Sequence, residues 1–309
     1  MRFLKFAVLA ALFALPVSSV DAGIFGSLLS ANGIADVIAD DSAGSFIERG
    51  NIDGTLEVGD LLQGMISFDS VATNGVPAGS SLIAAYSFEV LEIGEDGSYL
   101  ELGAASGTDN VLDIVSNAGV DISGLTGAHV GQDNAIVLLQ SSSVDVDRND
   151  FLGPNFGFTP GSGATAADFD PALVLGFDGV DDQHTVTAAN IPTFGLVDLT
   201  DLSTAAFFAG QGTGPIASFF GTYSITDTSN SLSALNFLPL VNPLGGAVGD
   251  VTISNGTINA TDSVTSANSF DFNDDGDFLI NAVPEPSTVA IFGCVGLIGL
   301  FDQRRRRQS

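Results

Sequence analysis

Between Phe6 and Gln303 the chain carries only two basic residues, Arg49 and Arg148. Helices that turn a face to water need Lys, Arg and Glu along it, so a chain with 15% charged residues and almost no cations is not built mainly from them. The 37 glycines and 23 phenylalanines fit short strands joined by glycine-bearing turns, an all-β composition. Disorder fits poorly in spite of the charge, because 45% of the residues are hydrophobic and the mean hydropathy is +0.37.

Along the chain, strand signals dominate. "LLQGMISFDSV" (61–71) and "SLIAAYSFEVLEI" (81–93) are apolar runs bounded by turn residues. "GEDG" followed by "SYLELGAA" makes the second run one arm of a hairpin, with Gly94 and Gly97 able to supply positive φ. Further strands are expected at 111–115, 134–146, 184–188, 204–209, 215–226, 234–241, 247–254, 256–265 and 268–272. Residues 24–40 have apolar positions at helical spacing, interrupted by Asn32-Gly33, and predict one or two short helical turns. The Gly, Pro, Asp and Phe-rich stretch 147–183 reads as a long loop or subdomain boundary. Many short strands without a sustained amphipathic helix predict a mainly β body built as a β-sandwich, with a jelly-roll-like topology as one form of it.

A chain of 309 residues is long enough for a real hydrophobic core. Its one cysteine, Cys294, excludes an intrachain disulfide, so packing or a bound metal must supply the stability. Of the 37 acids all but Asp21, Glu285 and Asp302 lie between residues 23 and 283, where only Arg49 and Arg148 oppose them, a formal charge of −32. Such a body repels phosphate, which excludes nucleic acid and anionic lipid as its partners. Divalent cations and basic or neutral polymers such as exopolysaccharide remain compatible, as does a simple solvated acidic surface.

The ends differ from the body. "MRFLKFAVLAALFALPVSSVDAG" has Arg2 and Lys5, an apolar stretch from Phe6 to Val17, and the small-residue site Val20-Asp21-Ala22. These are the three parts of a secretory signal peptide, with cleavage expected between Ala22 and Gly23 and use of the secretion machinery. At the other end, Val289 to Phe301 is an uncharged, mostly apolar run that spans about 20 Å as a helix, at roughly 1.5 Å per residue. With Ser287, Thr288 and snorkelling arginines it makes a short transmembrane helix in the inner membrane. Arg304, Arg305, Arg306 and Arg307 then stay on the cytoplasmic side as an anchor, and the acidic body lies outside.

Val283-Pro284-Glu285-Pro286-Ser287-Thr288, the apolar run and the arginine cluster stand in an order that resembles the PEP-CTERM sorting signal of Gram-negative bacteria. The resemblance covers about the last 27 residues. It implies an exosortase-like processing enzyme as partner, recognition at Pro284-Glu285-Pro286, and delivery of the body to the cell surface or extracellular matrix. Two prolines also bar regular helix and sheet, which favours an extended, accessible motif. Cys294 and Asp302 are not part of the pattern. The expected organisation is a signal peptide (1–22), an acidic β-rich extracytoplasmic domain (23–282) and the sorting signal (283–309).

Two acidic stretches have partial calcium-loop spacing. In "RGNIDGTLEVGD" (49–60), Asn51, Asp53, Glu57 and Asp60 fall at ligand positions and Gly54 at the turn, but Arg49 occupies the first position, where a carboxylate belongs. An ordinary Asp-Gly turn is the alternative. "DFNDDGDFLINA" (271–282) supplies Asp271, Asn273, Asp275 and Gly276, while Leu279 and Ala282 leave the second half of the cage missing. "DVDRND" (145–150) is weaker, with Asp150 in the glycine position.

Catalytic parts are scarce. His129 and His184 are the only histidines, and Gly-x-Ser-x-Gly, His-Glu-x-x-His and a free thiol in the body are all absent. With so many carboxylates, any acidic pair carries little weight as a glycosidase signal. The sequence therefore leads to the expectation of a non-enzymatic exported protein with no catalytic residues, and as alternative a calcium-dependent carbohydrate-binding or adhesive module with Ca2+ as its cofactor.

Overall fold

The computed structural model describes residues 23–32, 34–50, 52–71, 74–125, 133–177, 182–191, 195–196, 198–200, 215–229, 232, 235–237, 241–242, 246–247, 252–259 and 272–284. A helix α1 (Gly23–Asn32) leads into β1 (Ile34–Ile47), followed by β2 (Leu61–Val71), β3 (Ser81–Ile93) and β4 (Tyr99–Ala104). Helix α2 (Val111–Ala118) precedes β5 (Asn134–Ser141), β6 (Asp170–Gly176), β7 (Gln183–Ala188) and β8 (Pro215–Thr228). Then come β9 (Leu235–Phe237), β10 (Thr252–Asn259) and β11 (Phe272–Pro284). The protein is mainly β, and these strands with the two-residue Asn74–Gly75 form one 12-stranded sheet whose pairings are antiparallel.

The hydrogen-bonded path closes on itself. From β3 it runs through β5, β6, β8, β10, β11, β1 and β2, and β2 pairs back onto β3 with Leu61 opposite Glu89 and Phe68 opposite Leu82. Closure leaves no row of unpaired N–H and C=O groups along the main strands, the usual template for edge-to-edge aggregation. Between β3 and β8 the path forks. Residues 81–86 of β3 pair with β5, whereas 88–93 pair with β4. On β8, Ser224–Thr228 pair with β6 and Ala217–Thr222 with β7. The β5–β6 and β4–β7 branches thus join the same two long strands.

The β5–β6 side is buried on both faces. Leu82, Ala84, Tyr86, Phe88 and Val90 of β3 point to the inner core, together with Leu62, Ile136, Leu138, Leu175 and, from α1, Phe25. Ile83 and Ala85 face the other way, with Met65, Val137, Leu139 and Val174, beneath a cover made of α2 and residues 144–169. Alternation in a strand places neighbours on opposite faces, and a strand covered twice reads as a continuous apolar run, as β5 does. Each fully buried large apolar side chain contributes about 1.5–3 kcal/mol. Ser81 ties the cover down: its hydroxyl donates to Val144 O at 2.9 Å and accepts from Val146 N at 2.8 Å.

Several expectations need correction. Residues 111–115 are not a strand but the start of α2: Asn110 caps it by accepting from Leu112 N at 3.1 Å, and Gly119, at φ 116°, ends it in the left-handed region. The apolar positions from Ile34 to Ile38 belong to β1, so only Gly23–Asn32 is helical in the 24–40 stretch. Residues 147–183 do not form a loop or boundary. They contain β6, which lies between β5 and β8, and a layer of Phe151, Phe156, Phe158 and Phe169 packed edge-to-face and stacked over the sheet.

Boundaries at the hairpin are as expected for β2 and β3, but the positive φ values fall at Asp96 (55°) and Gly97 (64°), while Gly94 is extended. In place of 247–254 and 256–265, one strand, β10, occupies Thr252–Asn259. The strands expected at 204–209 and from 268 to 271 lie outside the described residues.

Candidate functional site

The acidic loop 48–60 is closed by its own backbone. The Asp60 carboxylate, buried at the foot of β2, accepts from Arg49 N through Oδ1 at 2.8 Å and from Glu57 N through Oδ2 at 2.7 Å. Glu48 accepts from Asp53 N at 2.7 Å, and Asp53 in turn accepts from Thr55 N at 3.1 Å. Gly54 turns the chain at φ 88°, and Leu56 anchors it in the inner core. Arg49 reaches back to the loop, where its Nη1 donates to Gly59 O at 3.5 Å. Its guanidinium pairs with Glu89 at 2.9 Å and with Asp109, and so pins the loop to β3 and to the segment before α2. Of the carboxylates placed at calcium positions by spacing, Asp53 and Asp60 therefore act as acceptors for main-chain N–H groups, and the Glu57 side chain is exposed. Asn51 lies outside the described residues.

The second acidic stretch is not a loop. Asn273 stands opposite Ala43 and Asn259, Asp275 opposite Thr257, and Gly276 opposite Ala39 and Gly256, all within β11 between β1 and β10. An extended strand spreads successive residues along its length and cannot wrap them around one ion as a calcium loop does. Asp271 lies outside the described residues. "DVDRND" forms a reciprocal cap on a short 3-10 turn, with Asp147 accepting from Asn149 N at 2.7 Å. Among the described residues no three His, Cys, Asp or Glu side chains come together as a metal site.

His184 sits where the sheet forks. It points inward from β7, with its ring 4.5 Å from that of Phe88 and stacked on Phe219, and its Nδ1 shares a hydrogen bond with the Tyr223 hydroxyl. Phe177 and Tyr86 complete the aromatic filling of the fork. Burial pushes the His184 pKa down to about 3, so the ring is neutral at physiological pH. Gly221 makes the room: a Cβ there would stand 2.2 Å from the Tyr223 hydroxyl oxygen. This is a packing role. His129 lies outside the described residues.

One surface has no counterpart in the sequence reading. The outer face of β4–β7–β8 has no bulge in the β4–β7 and β7–β8 pairings, and its Glu101, Thr187, Ser218 and Phe220 are exposed, so that no described segment covers it as one does the β5–β6 branch. Two rows cross it: Glu101, Thr185 and Phe220, then Tyr99, Thr187 and Ser218. A bulge between Val90 and Glu92 brings Leu91 and Glu92 to its border, both exposed. Leu91 lies across Gly103, where a Cβ would meet Leu91 Cδ1 at 2.7 Å. The Tyr99 hydroxyl donates to Glu92. That bond, then slight burial and the charges of Glu92 and Glu101, raise the Tyr99 pKa. The sequence signal was the alternation of β7, in which Gln183, Thr185 and Thr187 share a face opposite His184 and Val186; which strands flank it was not readable.

At the chain ends, α1 starts at Gly23, and Ala22 lies outside the described residues. Val283 and Pro284 are the last residues of β11, paired with Asn236 and Leu235 of β9. The first two motif residues are thus extended, as expected, but strand-paired. Glu285, Pro286, Ser287, Thr288 and Arg304 to Arg307 lie outside the described residues, as does Cys294. No helix among the described residues is long and apolar enough to cross a membrane. An acidic, mainly antiparallel-β protein with a closed pairing path is the class this architecture defines. Compared with known proteins, the chain matches no family model, no curated protein and no solved structure.

Proposed function

We propose that the chain is an exported, non-enzymatic protein of the cell surface or extracellular matrix, sorted by its last 27 residues. The observation that carries this reading is the ordered tail: Val283 to Thr288, the apolar run to Phe301 and Arg304 to Arg307, set against a body with only two cations. In this reading residues 289–301 form a transient transmembrane helix, an exosortase-like enzyme reads Pro284-Glu285-Pro286, and the body remains outside. The fold is compatible. Cleavage after Ala22 leaves α1 whole, and β11 ends at Pro284, so processing beyond that residue removes no strand of the ring. We further take the closed sheet as flattened into two facing walls, a β-sandwich whose inner core is filled from β3 and β5 on one side and β8, β10 and β11 on the other.

The test is intact-mass analysis of the full chain expressed in cells with and without an exosortase-like enzyme. The expected mature protein begins at Gly23 and loses the arginine cluster only when the enzyme is present, and Glu285→Ala blocks that loss. Retention of Met1, or a C-terminus identical in the two strains, would overturn the proposal. The calcium-dependent alternative gains no support from the 48–60 loop, whose Asp60 oxygens accept from main-chain N–H groups.

A further inference from the structure

We infer that the open outer face of β4–β7–β8 binds an amino-sugar polysaccharide, a chain of hexose rings carrying free ammonium groups, without calcium. The inference goes beyond the sorting proposal and does not depend on the tail.

The face combines three recognition chemistries. Phe220, 36% exposed, and Leu91, 53% exposed, offer apolar surface against which the C–H face of a sugar ring can pack. Between them Thr185, Thr187 and Ser218 present hydroxyls that donate to and accept from sugar hydroxyls. Glu92 and Glu101 supply negative charge at one border, where they already act on Tyr99. The β4, β7 and β8 pairings run without a register shift across this face, so its side chains form straight rows at the strand spacing of about 4.8 Å. A polymer of rings can lie along such rows.

Charge selects among polymers. Arg49 is held by Glu89 and Asp109, and none of the residues of this face is a cation. Uronic-acid or sulfated chains would meet Glu92 and Glu101 within a body already at formal −32. Ammonium groups meet attraction there instead, and neutral sugars meet neither. Basic peptides share the ammonium chemistry but not the ring faces, so Phe220 distinguishes the two.

The experiment is isothermal titration of the full-length chain, in non-ionic detergent with chelator present, using a glucosamine hexamer, its fully N-acetylated form, a galacturonate hexamer and pentalysine. We expect the glucosamine hexamer to bind most tightly and the galacturonate not at all. Phe220→Ala should weaken binding about tenfold, the loss of one aromatic contact. Glu101→Gln should weaken it up to about fivefold and reduce its salt dependence. Both positions are on the surface, and unchanged melting temperatures confirm that the variants fold. The inference is overturned if glucosamine hexamer does not bind at millimolar concentration, if neither variant weakens it, if binding requires calcium, or if pentalysine binds as tightly and ignores Phe220→Ala.

Discussion

Replacing Asp60 with Ala separates a clasp from a calcium ligand. Asp60 is buried and holds both ends of the 48–60 loop, accepting from Arg49 N at 2.8 Å and Glu57 N at 2.7 Å. Each is a hydrogen bond to a charged acceptor, worth about 1.5–3 kcal/mol. Both donors are part-buried, so water recovers some of the loss on truncation, and the net cost comes to about 3 kcal/mol. For a folded body of this size about 1 kcal/mol moves the melting temperature by about 2–4 °C, which gives a fall of about 6–12 °C. The assay is a thermal melt of the full-length chain in non-ionic detergent, with chelator and with millimolar calcium. The clasp predicts the same fall in both. Glu57→Ala removes an exposed side chain but keeps its N–H, and should stay within about 0.5 kcal/mol of the parent. A fall seen only with calcium, or a Glu57→Ala effect as large as that of Asp60→Ala, would refute the reasoning.

Two further substitutions probe the fork and the cover. His184 has its pKa pushed down to about 3 by burial, while the unfolded chain holds it near about 6.5, so the unfolded state takes up a proton that the folded state refuses. Its contribution is fully present above about pH 6.5 and is lost toward pH 3, at up to about 1.4 kcal/mol per pH unit. His184→Gln, which keeps a polar partner for Tyr223, should flatten the melting temperature between pH 6.5 and 5, above the range where Asp121 and Asp168 protonate; an unchanged slope would remove His184 as the cause. Asn110→Ala should cost about 2–3 kcal/mol, because Asn110 caps α2 and also donates to Ala105 O and Asn134 O; a loss under about 0.5 kcal/mol in urea denaturation would mean the cover does not depend on the cap.

What was legible in the sequence was local. β2 and β3 were readable at both ends because apolar runs meet turn residues there, and the low content of cations correctly pointed to strands. Val111-Leu112-Asp113-Ile114-Val115 misled because a β-branched, apolar run favours a strand by propensity. The opposing signal was present: Asn110 and Gly119 bracket the segment as caps, with Val111, Leu112 and Val115 at helical spacing. β6 was hidden because its apolar core, Ala172 to Leu175, is embedded in Gly, Pro and Asp-rich flanks. Arg49 looked like a defect in a calcium loop because its partners, Glu89 and Asp109, lie 40 and 60 residues away. The open face escaped for the same reason: its rows draw residues from three strands that only the fork brings together.

The ring also constrains the order of folding. β1, the first strand, pairs with β11, the last, and β11 is held on its other side by β10. The β2–β3 and β3–β4 hairpins can form as soon as they exist, since their partners are close in sequence. Closure cannot: the span from β1 to β11 is nearly the whole body, and its loop entropy is recovered only when the final strand docks. Until the chain is complete through Pro284, β1 and β10 therefore each expose an unpaired edge, and the inner core lacks Ile280. Such a chain acquires its stability only at the end, without a disulfide to lock it earlier. High negative charge serves that interval, because open chains with exposed edges repel one another before they can pair.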